Sequence, residues 1–186
     1  MKNNSESGFS YIDVMIALVI LMVGILGLLS GITASIVQTR SQQQQLLAKQ
    51  ITTTTMESIM SVKETSDASR LGWNAVGNVG SNPVAGVPQG IFLIGFQDVL
   101  TNAGADEVVG TADDTGAPVQ GVQRRIVITD LCDPDRPSPA PLCDPGPAGP
   151  FPVRFRSVQI TIRYQSGSVM QQEVLNTVLT DYAVQN

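Results

Sequence analysis

The stretch Ser10-Tyr11-Ile12-Asp13-Val14-Met15-Ile16-Ala17-Leu18-Val19-Ile20-Leu21-Met22-Val23-Gly24-Ile25-Leu26-Gly27-Leu28-Leu29 decides the fold. From Val14 to Thr39 no residue is charged, and as far as Leu29 the run is almost wholly Val, Ile, Leu, Met, Ala and Gly. An α-helix rises about 1.5 Å per residue, so the segment is long enough to cross a hydrocarbon core of roughly 30 Å. A cleaved secretory signal has a different layout: a basic start, an apolar core of about 7–15 residues, then a small-residue cleavage site. Here the apolar run is longer and no Ala-x-Ala site follows it. The break in polarity lies before the run instead, in Met1-Lys2-Asn3-Asn4-Ser5-Glu6-Ser7-Gly8. Lys2 on that side agrees with an N-terminus left in the cytoplasm.

Asp13 stands at the head of this apolar helix with Phe9, Tyr11 and Ile12 around it. A carboxylate in lipid costs about 2.5–3.5 kcal/mol even on lenient insertion scales, so it needs an interfacial position or a partner. Two readings follow. A helix N-terminus favours a negative charge through its dipole and free N–H groups; or the partner lies on another subunit.

Composition narrows the chemistry. The chain has 186 residues, enough for one globular core with an appended helix. With 11 basic against 16 acidic residues, a net charge of −5 and no basic run, it offers little to nucleic acid. There is no His, which removes Ser-His-Asp and Cys-His catalysis and most zinc sites. The expectation is a protein that is not an enzyme. Cys132 and Cys143 bracket a Pro-rich segment without helical or strand periodicity. A disulfide closing that loop is the preferred reading and implies an oxidising compartment; the alternative is a pair of free thiols in a cytosolic protein.

Gly8-Phe9-Ser10-Tyr11-Ile12-Asp13-Val14 resembles the prepilin motif of type IV pilins and type II secretion pseudopilins. In that motif a short polar leader ends in Gly and is followed by Phe, a few apolar residues, an acid and a long apolar helix. The block Val23-Gly24-Ile25-Leu26-Gly27-Leu28 looks like that of PilV-type minor pilins. The resemblance covers about the first 40 residues. It implies that residues 1–8 are a leader, that Gly8 is its last residue, and that Phe9 becomes the N-methylated first residue of the mature chain after a prepilin peptidase acts. It implies that Asp13 neutralises the N-terminal amine of a neighbouring subunit. The usual family residue there is Glu, so Asp shortens the reach by one methylene. It further implies residues 9–39 as a transmembrane and assembly helix, and 40–186 as a periplasmic globular domain on a bacterial inner-membrane protein that later enters a pilus at the cell surface.

Beyond Thr39 the helix is predicted to continue, because Leu47, Ile51, Thr54, Thr55, Ile59 and Val62 recur at spacings of three and four while Arg40, Gln43, Lys49, Glu57 and Lys63 take other faces. It should end between Val62 and Ser69. The Thr52–Thr55 run lowers helix propensity, so burial must compensate. Gly24, Gly27 and Gly31 weaken the first half similarly but allow neighbouring helices to approach. From Leu71 to Pro118 the chain is rich in Gly, Asn and Pro and reads as a long excursion with a short strand or helical turn at Ile91–Phe96. Strands are expected at Val122–Thr129 and Ser157–Tyr164, the latter with Val158, Ile160, Ile162 and Tyr164 on one face. A turn at 165–168 then leads into a strand at Val169–Thr180. The fold class is therefore α+β: a long N-terminal helix, transmembrane in its first half and amphipathic in its second, packed on a small antiparallel sheet.

One loop could carry chemistry. In Gly104-Ala105-Asp106-Glu107-Val108-Val109-Gly110-Thr111-Ala112-Asp113-Asp114 the acids Asp106, Glu107, Asp113 and Asp114 could supply some of the six to eight oxygens that calcium takes. The spacing is not that of an EF-hand, and a solvated acidic turn is the preferred reading; no other cofactor is expected.

Three functions follow in order of preference. The first is a minor type IV pilin that acts in pilus assembly, surface display or adhesion, with other pilins and the prepilin peptidase as partners. The second is a type II secretion pseudopilin. The third is a signal-anchored periplasmic binding domain.

Overall fold

The computed structural model describes residues 10–65, 72–131 and 153–181. Gly8, Phe9, Cys132 and Cys143 lie outside the described residues. By contacts the chain divides into two compact units, residues 1–42 and 43–186.

A single helix, α1, runs from Tyr11 to Glu64 over 54 residues. It starts after Ser10, whose carbonyl accepts the amides of Asp13 and Val14 at 3.0 and 3.4 Å. Within the first unit every residue from Tyr11 to Arg40 is exposed, although the run is apolar on all faces. A helix of that kind is not stable against water and fits a membrane span by length and composition.

In the second unit α1 buries a stripe: Ala48, Thr52, Thr55, Ile59 and Val62. Their spacing of three and four is the helical repeat. The stripe lies one position away from the expected one at its start, for Leu47 and Thr54 are exposed. Two threonines enter the core because their hydroxyls bond back along the helix, Thr52 to the Ala48 carbonyl at 2.8 Å and Thr55 to that of Ile51 at 2.7 Å. Small residues at 48 and 52 then let the helix approach closely where a Leu would hold it off.

After α1 comes a short 3-10 turn at Gly72–Ala75, then β1 (Pro83–Val84) and β2 (Val87–Pro88), which form a small hairpin. β3 (Gln97–Asn102), β4 (Thr115–Leu131), β5 (Phe155–Ser166) and β6 (Val169–Thr180) form a four-stranded sheet in that order, antiparallel throughout. The last two strands and their turn match the expected hairpin. β4 begins earlier than expected, and β3 was hidden inside the Gly- and Asn-rich excursion. The Ile91–Phe96 island forms neither a strand nor a helical turn: Phe92 makes one bridge to Asn78 and sits fully buried.

Alternation along β5 puts Val158, Ile160, Ile162 and Tyr164 on the inner face, with Val122 and Ile126 of β4 beside them. Against this face lie Ile59 and Val62 of α1, Val76 and Phe92 of the connecting segment, and Val99 and Val108. Such a core at about 25 cal/mol per Å² of apolar surface is the main source of stability. The layout is thus α+β, with one long apolar N-terminal helix and an antiparallel sheet.

Candidate functional site

The acidic loop is shaped by its own carboxylates. Asp113 Oδ2 accepts the amides of Ala105 at 2.8 Å and Asp106 at 3.1 Å, while Oδ1 accepts the Thr111 hydroxyl at 2.6 Å. The Thr111 hydroxyl, and after it the Asp106 and Ala105 amides, hold the Asp113 carboxyl below its ordinary value, with burial pulling the other way. Asp106 Oδ1 accepts the Val108 amide at 2.7 Å, an Asx-type turn. Gly104 adopts a positive φ of 73°, and a Cβ there would meet the Asp113 backbone and carboxylate, so only Gly closes this turn.

Asp114 faces inward. Its Oδ2 accepts the Gly110 amide at 2.9 Å and Nη2 of Arg124 at 2.8 Å. Both side chains are buried, to 4% exposure for Arg124 and 9% for Asp114. Burial pulls the Arg124 guanidinium below its ordinary value, and Asp114 opposes that pull. The pair therefore ties the loop to the inner face of β4.

Of the four acids expected to offer calcium ligands, Asp106 and Asp113 meet through the loop backbone, Asp114 turns into the domain, and Glu107 is exposed. Among the described residues no three acidic or thiol side chains converge on one point. A cleft of about 290 Å³ adjoins the loop, lined by Gln97, Asp98, Leu100, Thr111, Asp114 and Arg124 among others. Asp114 Oδ1 is without a hydrogen bond but is sealed from solvent, so it does not open into that cleft.

A second buried cation is Arg156 on β5. Its Nε donates to Asp130 Oδ1 at 2.8 Å, its Nη1 donates to the carbonyls of Trp73 and Val76, and its guanidinium stacks 4.3 Å from the Trp73 ring. Trp73 in turn donates Nε1–H to the Val153 carbonyl at 2.8 Å. Neither Arg124 nor Arg156 stood out in the sequence. Both lie at inward positions of alternating strands, and that mismatch of charge with an apolar face was the available signal.

Asp13 sits in the first turn of α1 and is exposed, at a helix N-terminus that favours its charge. No family model, curated protein or solved structure matches the chain.

Proposed function

We propose that the chain is a minor type IV pilin of the PilV type, a structural subunit held in a bacterial inner membrane by the first half of α1. The observation that carries this reading is the order Gly8-Phe9 and Asp13, then an uncharged helix that continues without a break into an α+β domain. A membrane anchor alone requires the apolar run and tolerates an acid in its first turn through the helix dipole, but gives it no partner. An assembling subunit does: as the helix leaves the bilayer for a bundle of neighbours, Asp13 meets the terminal ammonium of the adjacent chain and neither charge is left unpaired in an apolar setting. The sheet domain then serves adhesion or display, and no catalytic step is assigned to it. The type II secretion pseudopilin shares every one of these features except the Val23–Leu28 block, which favours the pilin.

Mass spectrometry of the mature N-terminus tests the proposal. The expected product begins at Phe9 carrying one N-methyl group and co-sediments with sheared filaments. A chain that keeps Met1 and remains in the membrane fraction would sink it.

A further inference from the structure

The face of the sheet turned away from the core carries two cations side by side. By alternation Arg125 of β4 and Arg163 of β5 belong to this face, and the register sets them on a diagonal, since Arg125 pairs with Thr161. The ring of Phe96, just before β3, joins them: the Arg163 guanidinium lies 3.6 Å from its centroid and that of Arg125 4.9 Å. Both fall within the range of a cation–π contact, about 6 Å. Thr161 is only 3% exposed although it belongs to this outer face, so the cluster is packed down on the sheet.

Packing gives these cations no counter-charge. Among the described residues the ion pairs are Lys63–Glu64, Arg124–Asp114 and Arg156–Asp130, none of which includes Arg125 or Arg163. Asp98 shares the face, but its Oδ1 accepts Nε2 of Gln123 at 3.2 Å, and Gln123 stands between it and Arg163 in the ladder. Arg125 Nε is sealed from solvent without a hydrogen bond, whereas its Nη groups are not sealed. Two like charges held at one ring repel, and stacking leaves the N–H edges of a guanidinium open to an oxyanion.

We propose that Arg125, Arg163 and Phe96 form a binding site for the carboxylate of an acidic sugar, whose hydroxyls meet the neighbouring amides. Those amides are Gln123 and Gln172, which flank Arg163 on β4 and β6 and can both donate and accept. The surroundings select the ligand. A chain of net charge −5 with Asp98 close by repels a densely charged polyanion, which favours an isolated negative group on a neutral, hydroxylated body. An acidic peptide fits less well: the main-chain groups of β5 are spent in ladders on both sides, so a peptide backbone laid on this face meets no row of partners. Every contributing residue lies in the second unit, so the site stands or falls separately from the pilin reading.

The test is saturation-transfer NMR on the full chain in detergent, titrated with methyl β-D-glucuronide. Its Kd should be on the order of 1 mM, and methyl β-D-glucoside, which lacks the carboxylate, should bind about tenfold more weakly. Arg163→Gln, a change at an exposed position, should weaken the glucuronide about tenfold and leave the melting temperature unchanged. Arg163→Lys should recover only part of the loss, because an ammonium lacks the planar fork. Arg154→Gln removes an exposed cation outside the cluster and should change nothing. A glucoside that binds as well as the glucuronide, or equal losses in Arg163→Gln and Arg154→Gln, overturns the proposal. Acetyl-Ser-Glu-Ser-amide or inorganic phosphate binding more tightly than the glucuronide, with the same dependence on Arg163, overturns the sugar in favour of an acidic peptide or a phosphate. Sequencing the N-terminus of the same preparation keeps the two readings apart: a methylated Phe9 without glucuronide binding sinks the sugar site alone, and an unprocessed chain that binds it sinks the pilin alone.

Discussion

At the scale of single residues, backbone strain and one carboxylate offer the sharpest tests. Val84 pairs with Val87, so Ala85 and Gly86 alone make the hairpin turn, with φ of 49° and 81°. Positive φ at both positions is a type I′ turn, which favours Asn-Gly, and an Ala there costs about 1 kcal/mol in the left-handed region. Ala85→Asn should therefore raise stability by about 0.5–1 kcal/mol, read as a higher urea midpoint with an unchanged slope. Asp113 gives the opposite kind of test, through pH. Its folded pKa is depressed by the Thr111 hydroxyl and then by the amides it accepts. A depressed carboxylate contributes stability that is complete above the ordinary aspartate range and is lost as pH falls through the lower folded value. Acidification below about pH 4 should thus loosen the loop, and Asp113→Asn should flatten that limb of a stability–pH profile measured by thermal melting.

Between elements, the buried pair Arg124–Asp114 is the main polar tie from the acidic loop to β4. Removing one partner strands the other charge in a dry site, which costs about 3–5 kcal/mol, whereas replacing both with apolar residues of similar size costs far less. Arg124→Met should thus be strongly destabilising in urea unfolding, and the added Asp114→Leu should recover much of the loss. Additive losses in this double-mutant cycle would show that the two side chains do not act as a unit. The same elements show what sequence could disclose. β5 and β6 were legible because Val158, Ile160, Ile162 and Tyr164 alternate cleanly and a Ser-Gly turn follows. β3 was not, since Val99 is its only buried residue and Gly, Asn and Ala surround it. The helical stripe was expected to start at Leu47, a large apolar residue, whereas Ala48 and Thr52 are buried instead, Thr52 with its hydroxyl bonded back to the Ala48 carbonyl. For the acidic loop, the sequence offered four carboxylates but not their directions. Asp114 finds its partner only in the folded domain, in Arg124 midway along β4.

At the scale of the whole molecule, the two units differ in what they bury. Among the described residues every buried hydrophobic one lies between Ala48 and Leu179, and none falls in residues 11–42. The first unit is helical and apolar but carries none of the core, which is compatible with a single-pass membrane anchor. The second unit holds its own segment of α1, the sheet and both buried arginines. A chain starting at Gln43 should accordingly fold alone in water, melt cooperatively, and match the full chain in detergent to within about 5 °C. It should also lose all membrane association, because the sequence from 43 onward has no comparable apolar run. Differential scanning calorimetry together with flotation on liposomes checks both halves of the expectation. If the shortened chain melted without a transition, the helix before Gln43 would have to contribute to folding directly. The assignment of that helix to membrane and assembly alone would then be wrong.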